Sequence, residues 1–218
     1  MDTRDRIVAA AAEVMRDRGL ARATTKEIAK AAGYSEATLY KHFRDKTDLF
    51  LAVLGERGPT GLAPVLLRLP DQVGKKPVED VLHEVAQAAA EFYEQGFPMA
   101  ASLFSEPSLL AAHRAALRAR GAGPQFVGRA LRDYLAAEQA NGRVSEGVDP
   151  AAAGSLLLGA CLERAFIGHF LDPAEHRPGV EEFAGSVVAA LLGGVAPKES
   201  IQDKGRPSTP PPPGTRRT

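Results

Sequence analysis

The sequence predicts an all-α fold, with an N-terminal helix-turn-helix domain joined to a larger helical domain. Three observations do so. The 218 residues are 44% apolar and rich in Ala, Leu, Arg and Glu, which are strong helix formers. Apolar residues recur at three- and four-residue spacing through most of the chain, and no segment sustains the alternation of a strand. Near the N-terminus, capping and stopping residues follow one another so closely that the helices between them are only two turns long.

In chain order, Ile7, Ala11, Val14 and Met15 mark a first helix from about Thr3, stopped by Gly19. Thr24 and Glu27 form a capping box, and Gly33 ends the second helix. Ser35 caps a third helix through Thr38, Leu39 and Tyr40, and Asp45 a fourth bearing Leu49, Phe50, Val53 and Leu54. Gly and Pro between Gly55 and Pro77 predict a loop or a broken helix. Val78, Val81, Leu82, Val85, Ala89 and Phe92 predict a long helix ending near Gly96, followed by a shorter one over 98–105. Pro107 opens another helix, residues 121–124 interrupt it, and 125–140 is helical again up to the Asn141-Gly142 stop. Asp149 caps a helix with Pro150 at its first position, where the missing N–H costs nothing. That helix, to about Leu171, is apolar around most of its circumference, and a last one runs from Pro178 to Gly193-Gly194. Four prolines at 210–213, among Ser, Thr and Arg, predict a disordered tail. The expected division is 1–50, 51–195 and a tail over 196–218.

Twenty-seven Lys and Arg balance 27 Asp and Glu, so nucleic acid could be held only by a local patch. Residues 1–50 carry ten basic and eight acidic side chains, and 22–46 alone six against three. Residues 51–197 carry twelve against seventeen, and 198–218 five against two. A basic start on an acidic body fits one polyanion-facing end. The single cysteine, Cys161, excludes a disulfide framework and points to the cytoplasm. The apolar run over 150–162 is too short to span a bilayer, and 7–12, ended by Glu13, is no signal-peptide core. No membrane association is expected.

The segment 25–43 is the most informative. Ala29 is small where two helices cross closely, Ile28 and Leu39 face a shared core, and Gly33 can take the positive φ of a tight turn. In such a unit the second helix lies in the major groove and the first crosses the phosphates. Thr24, Thr25 and helix-terminal amides suit a phosphate. Ser35, Glu36, Ala37, Thr38 and Lys41 occupy the start or outer face of the recognition helix, where base edges would lie. Tyr40, His42 and Lys46 flank it as phosphate-reaching groups. Tyr40 can also pack one edge on Leu39, and His42 has no histidine at metal-ligand spacing.

Residues 3–50 resemble the DNA-binding domain of the TetR family of bacterial repressors. The resemblance rests on the run from Thr24 through Gly33, Leu39-Tyr40-Lys41-His42-Phe43 and Lys46 to Phe50, with Ile7, Glu13, Val14 and Gly19 before it. It implies a homodimer, a helical ligand domain, a palindromic operator and release of DNA on binding a small molecule. Family members often present Gln, Arg or Lys at the start of the recognition helix, where this chain has Ser35-Glu36-Ala37. Glu36 can accept from cytosine N4, but it repels nearby phosphate.

The body offers a ligand pocket among Phe92, Met99, Leu103, Phe104, His113, Phe126, Cys161 and Arg164, although aromatics at helical spacing also make plain core. Cys161 fits a small buried hydrophobe better than a nucleophile. Arg164, inside an apolar helix, must be paired, ligand-facing or at a solvent edge. The two last helices need more cover than one thin layer offers. Leu156, Leu157, Phe166, Ile167, Phe170, Val187, Val188 and Leu191 therefore make the expected dimer interface, as an isologous four-helix bundle. Outside the N-terminal domain there is no catalytic triad, paired-carboxylate or phosphate-loop signature, and no metal or cofactor is expected. The reading is a ligand-responsive transcriptional regulator, a repressor on a double-stranded operator. The alternatives are a ligand-free DNA-binding scaffold and an enzyme with an accessory helix-turn-helix.

Overall fold

A computed structural model describes residues 2–19, 22–56, 58, 60–172, 175 and 177–194. The expected tail over 196–218 lies outside the described residues. Among them the secondary structure is entirely helical, in the order α1 (Thr3–Arg18), α2 (Thr25–Ala32), α3 (Glu36–His42), α4 (Lys46–Glu56), α5 (Leu62–Gln72), α6 (Val78–Phe104), α7 (Pro107–Ala119), α8 (Pro124–Ala140), α9 (Pro150–Phe170) and α10 (Val180–Gly193).

Two apolar clusters organise these helices. The first gathers Ile7, Ala11, Met15, Ile28, Leu39, Leu49, Phe50 and Val53 from α1–α4, and it also takes Leu103 from the end of α6 and Leu109 from α7. The second gathers Leu62, Leu69, Leu82, Val85, Leu131, Leu157, Cys161 and Val188 from α5, α6, α8, α9 and α10. Helix α6 runs through the body and ends against the first cluster, so it links the two physically.

The stretch expected as a loop or a broken helix between Gly55 and Pro77 contains α5, flanked by non-helical residues. Leu62, Val65, Leu66 and Leu69 form an i, i+3, i+4, i+7 stripe, with Leu62 and Leu69 buried and Val65 and Leu66 packed beside them. Pro64 sits in the first turn, where no N–H is needed, and Pro70 costs one bond in the last. The break expected near Gly96 is also absent, and α6 runs through Pro98. Pro98 cannot donate to the carbonyl of Glu94, and His169 Nε2 from α9 lies 2.8 Å from that oxygen. A tertiary partner thus replaces the lost helical bond, and Ser102 Oγ donates to the Pro98 carbonyl at 3.0 Å.

Helix α9 is, among the described residues, long and apolar enough to cross a membrane, with mean hydropathy 1.3 over its best window. It packs against α6, α8 and α10 with Leu157, Cys161 and Ala165 fully buried. Its opposite face leaves Leu156, Leu162, Phe166 and Phe170 exposed.

Candidate nucleic-acid interface

Each short helix at the N-terminus is set by its own cap. The Asp2 side chain accepts from the Asp5 amide at 2.7 Å, opening α1. Thr24 and Glu27 exchange side-chain and backbone bonds at 3.2 Å each, the capping box expected for α2. That exchange, led by the Thr24 hydroxyl, holds the Glu27 carboxyl below its ordinary value. Ser35 Oγ accepts from the Thr38 amide at 3.2 Å, and Asp45 accepts from the Asp48 amide at 2.7 Å. Between α2 and α3, Gly33 adopts φ +77°, and the Tyr34 amide reaches back to the Ala29 carbonyl at 2.8 Å. This αL stop aims α3 across α2. Two arginines of α1 brace the arrangement: Arg6 lies over the Tyr34 ring, and Arg4 over Phe43 while pairing with Glu56 at 2.6 Å.

Leu39 is fully buried beneath α3, which turns the opposite face outward. On that face Ala37, Tyr40, Lys41 and His42 are exposed, Tyr40 by 49%, and Ser35 stands exposed at its N-terminus. Thr38 is half-buried, with its hydroxyl 3.0 Å from Ser35 Oγ. Thr24 is exposed, and Thr25 and Lys46 are half-buried. The assigned residues of α2 and α3 lie on two neighbouring helices, whereas Lys46 opens α4 beside Glu106 and Ser108 at the start of α7.

Sequence reasoning missed the internal wiring of this end. The half-buried Glu36 carboxylate accepts the Thr25 hydroxyl proton, and Tyr40 Oη lies 3.3 Å from the same Thr25 oxygen. With its proton committed to Glu36, Thr25 accepts from Tyr40. Glu36 thus braces α3 against α2 in place of pointing freely into a groove, and the residue spacing carried no signal of it. Arg44 packs its guanidinium on Asp48, and these contacts hold the Asp48 carboxyl below its usual value.

The eight residues expected to line a pocket do not come together. Met99 and Leu103 belong to the first cluster, with Leu103 buried. Phe104 is 73% exposed, and Phe126 is exposed beneath Arg129. His113 is half-buried on α7, its pKa lowered by burial and by Arg120. Phe92, Cys161 and Arg164 do share the second cluster or its edge. Burial pushes the Cys161 thiol up to about 12, and it donates to the Ala86 carbonyl at 3.5 Å, an inert packing role. A groove of about 670 Å³ runs between α5 and α6 past Val65, Arg68, Gln72, Lys76, Glu84 and Glu91, none of them anticipated.

The residues expected at a dimer interface also divide. Leu156, Phe166 and Phe170 are exposed, and Ile167, Val187 and Leu191 are half-buried. Leu157 and Val188 are instead inside the protomer's own core, at 0% and 1% exposure. The helix turns 100° per residue, so neighbours such as Leu156 and Leu157 cannot serve the same face. Leu162, 46% exposed, was missed from that face.

Residues 7–53 match the family of bacterial regulatory proteins described as the tetR family. Over 54 residues the chain is 41% identical to the HTH-type transcriptional repressor BepR of Brucella suis biovar 1, covering 25% of this chain and 26% of that protein. Over 53 residues it is 47% identical to the HTH-type transcriptional activator FasR of Mycolicibacterium smegmatis, covering 24% of each. These matches span about a quarter of either relative. The whole fold is similar to that of the transcriptional regulator FadR from Bacillus subtilis, solved in complex with stearoyl-CoA. That likeness has TM-score 0.64 and 20% identity, over 88% of this chain and 99% of that one.

Proposed function

Because residues 7–53 match the tetR family of bacterial regulatory proteins, we propose that the chain is a member of it and a dimeric, effector-responsive transcriptional regulator acting in the cytoplasm. The observation that carries this reading is the outward face of α3. It is held rigidly by Leu39 and the Gly33 turn and presents Tyr40, Lys41 and His42 together. Residues 1–50 form the DNA-binding unit and 51–195 the effector and dimerisation unit. His42 and Lys46 position the domain on phosphates, Tyr40 joins them by exchanging its bond to Thr25 for one to a phosphate oxygen, and Thr38 and Lys41 read base edges. Leu156, Leu162, Phe166 and Phe170 give an exposed apolar face on α9 that a second copy covers isologously, so the operator is a palindrome. The sense of regulation is repression, as in BepR, with an activator like FasR the second reading. Catalysis has no part in it, in keeping with relatives that are regulators.

Movement is transmitted by α6. Its end supplies Leu103 to the core that holds α4, and Leu109 of α7 joins it there beside Phe50. A shift of α6 therefore repositions the recognition helices, and a coupling of about 1–3 kcal/mol changes operator affinity several-fold to about a hundred-fold.

The test begins with selection of duplexes from a random pool by the full chain, which should return a palindrome. Affinity for it should fall steeply with salt. Lys46→Ala should weaken all operator variants alike and flatten the salt slope by about one unit, whereas Lys41→Ala should relax preference at one symmetric position. No enriched sequence and no salt dependence would end this reading.

A further inference from the structure

We propose that Arg164 and Arg177 form the receptor for the anionic group of the effector, a small molecule with a carboxylate or phosphate head and an apolar body. The proposal rests on the effector-responsive reading above and says which chemistry the effector has.

The site lies where α6, α9 and the segment before α10 meet. Arg164 projects from the buried side of a mostly apolar helix, with its side chain only 9% exposed. Its guanidinium is 4.9 Å above the Phe183 ring, and its buried Nε has no hydrogen-bond partner among the described residues. The nearest carboxylate oxygen, Glu94 Oε1, is 3.7 Å away, too long for a hydrogen bond. Arg177 claims that same oxygen at 3.3 Å and donates its other Nη to the Arg164 carbonyl at 3.3 Å. A Cβ on Gly168 would overlap the Arg177 guanidinium, so the glycine makes room for it. Two cations thus share one carboxylate in a largely desolvated place.

An excess positive charge there is costly unless an anion completes it. The unused Nε and the fork geometry of guanidinium suit a planar or tetrahedral oxyanion. Beside it lie the edge of the second core, Phe92, Tyr93 and Phe183, and Cys161 one turn earlier on α9, so a chain leaving the head group meets apolar surface.

The position also explains a response. Glu94 is the residue whose carbonyl Pro98 leaves without a helical partner. An anion that takes the two guanidiniums releases the Glu94 side chain at this weak point of α6. Beyond that point lie Met99 and Leu103, packed in the DNA-binding core.

The experiment is calorimetric titration of the full chain with decanoate, decanoyl-CoA and uncharged decanol, with DNA shift measured in parallel. Decanoate or decanoyl-CoA should bind and decanol should not, and which of the two binds tells carboxylate from phosphate-bearing head. Arg164→Met should lose affinity by about tenfold or more, the value of one charge-assisted hydrogen bond. Glu94→Gln should instead gain affinity, because it removes the competing carboxylate, and a merely structural Glu94 would give no gain. Arg177→Gln, at the more exposed guanidinium, repeats the loss if Arg164→Met fails to fold. Equal binding of decanol and decanoate, or no binding of any probe by a chain that still shifts DNA, overturns the anion site and leaves the regulator reading standing. A chain that shifts no DNA overturns that reading instead.

Discussion

The two halves of this molecule are stabilised in different ways. In the N-terminal part, α1–α4, every helix starts on a side-chain cap, from Asp2, Thr24, Ser35 or Asp45, and two of the helices have only eight and seven residues. In the body α5, α6, α7, α8 and α10 start without one, and only α9 has Asp149 at its head. Helices of two turns are far below the length at which a helix stands alone, so local bonds must fix their ends. The long body helices instead derive their stability from buried faces. What differs is whether geometry is held by hydrogen bonds near in sequence or by packing between distant elements.

The largest effect should follow from emptying the packed half. Leu157→Ala, at a fully buried position, should cost about 2–5 kcal/mol in chemical denaturation. Its neighbour Leu156, 67% exposed, should change protomer stability little when cut to Ala. It should instead weaken self-association in sedimentation. Equal losses of stability from both substitutions would show that α9 is rotated from the arrangement described.

Next comes the turn. Gly33 has φ +77°, and a Cβ added there would make only an ordinary contact, with the Arg6 guanidinium at 3.7 Å. The penalty for replacing it is therefore conformational and not steric. Gly33→Val should abolish operator binding, because an L-residue costs about 1–2 kcal/mol there and a β-branched one more. Gly33→Asn, which tolerates αL, should keep most of the affinity in an anisotropy titration. If Asn were as damaging as Val, crowding and not φ would govern the turn.

The same division decides what could be read in the chain. Caps and stops are written in adjacent residues, so Thr24 with Glu27, Ser35 and Gly33 located α2, α3 and the turn within a residue or two. In the body the deciding partners are far away. Pro98 reads as a helix break until His169, 71 positions later, is seen on the freed carbonyl. The α5 stripe was present in Leu62, Val65, Leu66 and Leu69, but the surrounding prolines outweighed it. The expected pocket residues were dispersed for a related reason: along α6, Phe92 and Tyr93 join the second cluster, Met99 and Leu103 join the first, and Phe104 is exposed. Glu138 was equally invisible, fully buried on α8 and held by the Gly74 amide at 3.1 Å and by Arg143.

A smaller effect separates capping from packing. Thr24→Ala and Asp149→Ala should each cost about 1 kcal/mol. The first should also raise hydrogen exchange across α2, whose eight residues have little else to hold their start, while the second leaves the packed body of α9 protected. Uniform loss of protection across α9 in the Asp149 variant would show that the body depends on its caps as well.

The smallest effect is expected at the surface pair formed by Arg44, just before α4, and Asp48 in its first turn. The Asp48 carboxyl is held below its ordinary value first by the Arg44 guanidinium and then by the Arg44 amide. A lowered folded pKa means that the ionised form favours the fold. The contribution is complete above the unfolded value of about 3.9 and disappears as pH falls through the folded one. At pH 7 Arg44→Ala should leave the thermal midpoint within measurement error, because exposed pairs are screened. As pH falls below about 4 the wild type should lose stability slightly faster than the variant, since only the wild type has the guanidinium bond to lose. The amide bond at 3.2 Å survives the substitution, so the acid sensitivity of the variant should shrink and not vanish. Identical acid profiles for the two proteins would place the whole effect on the backbone bond, and the surface charge would then contribute nothing even at this capped end.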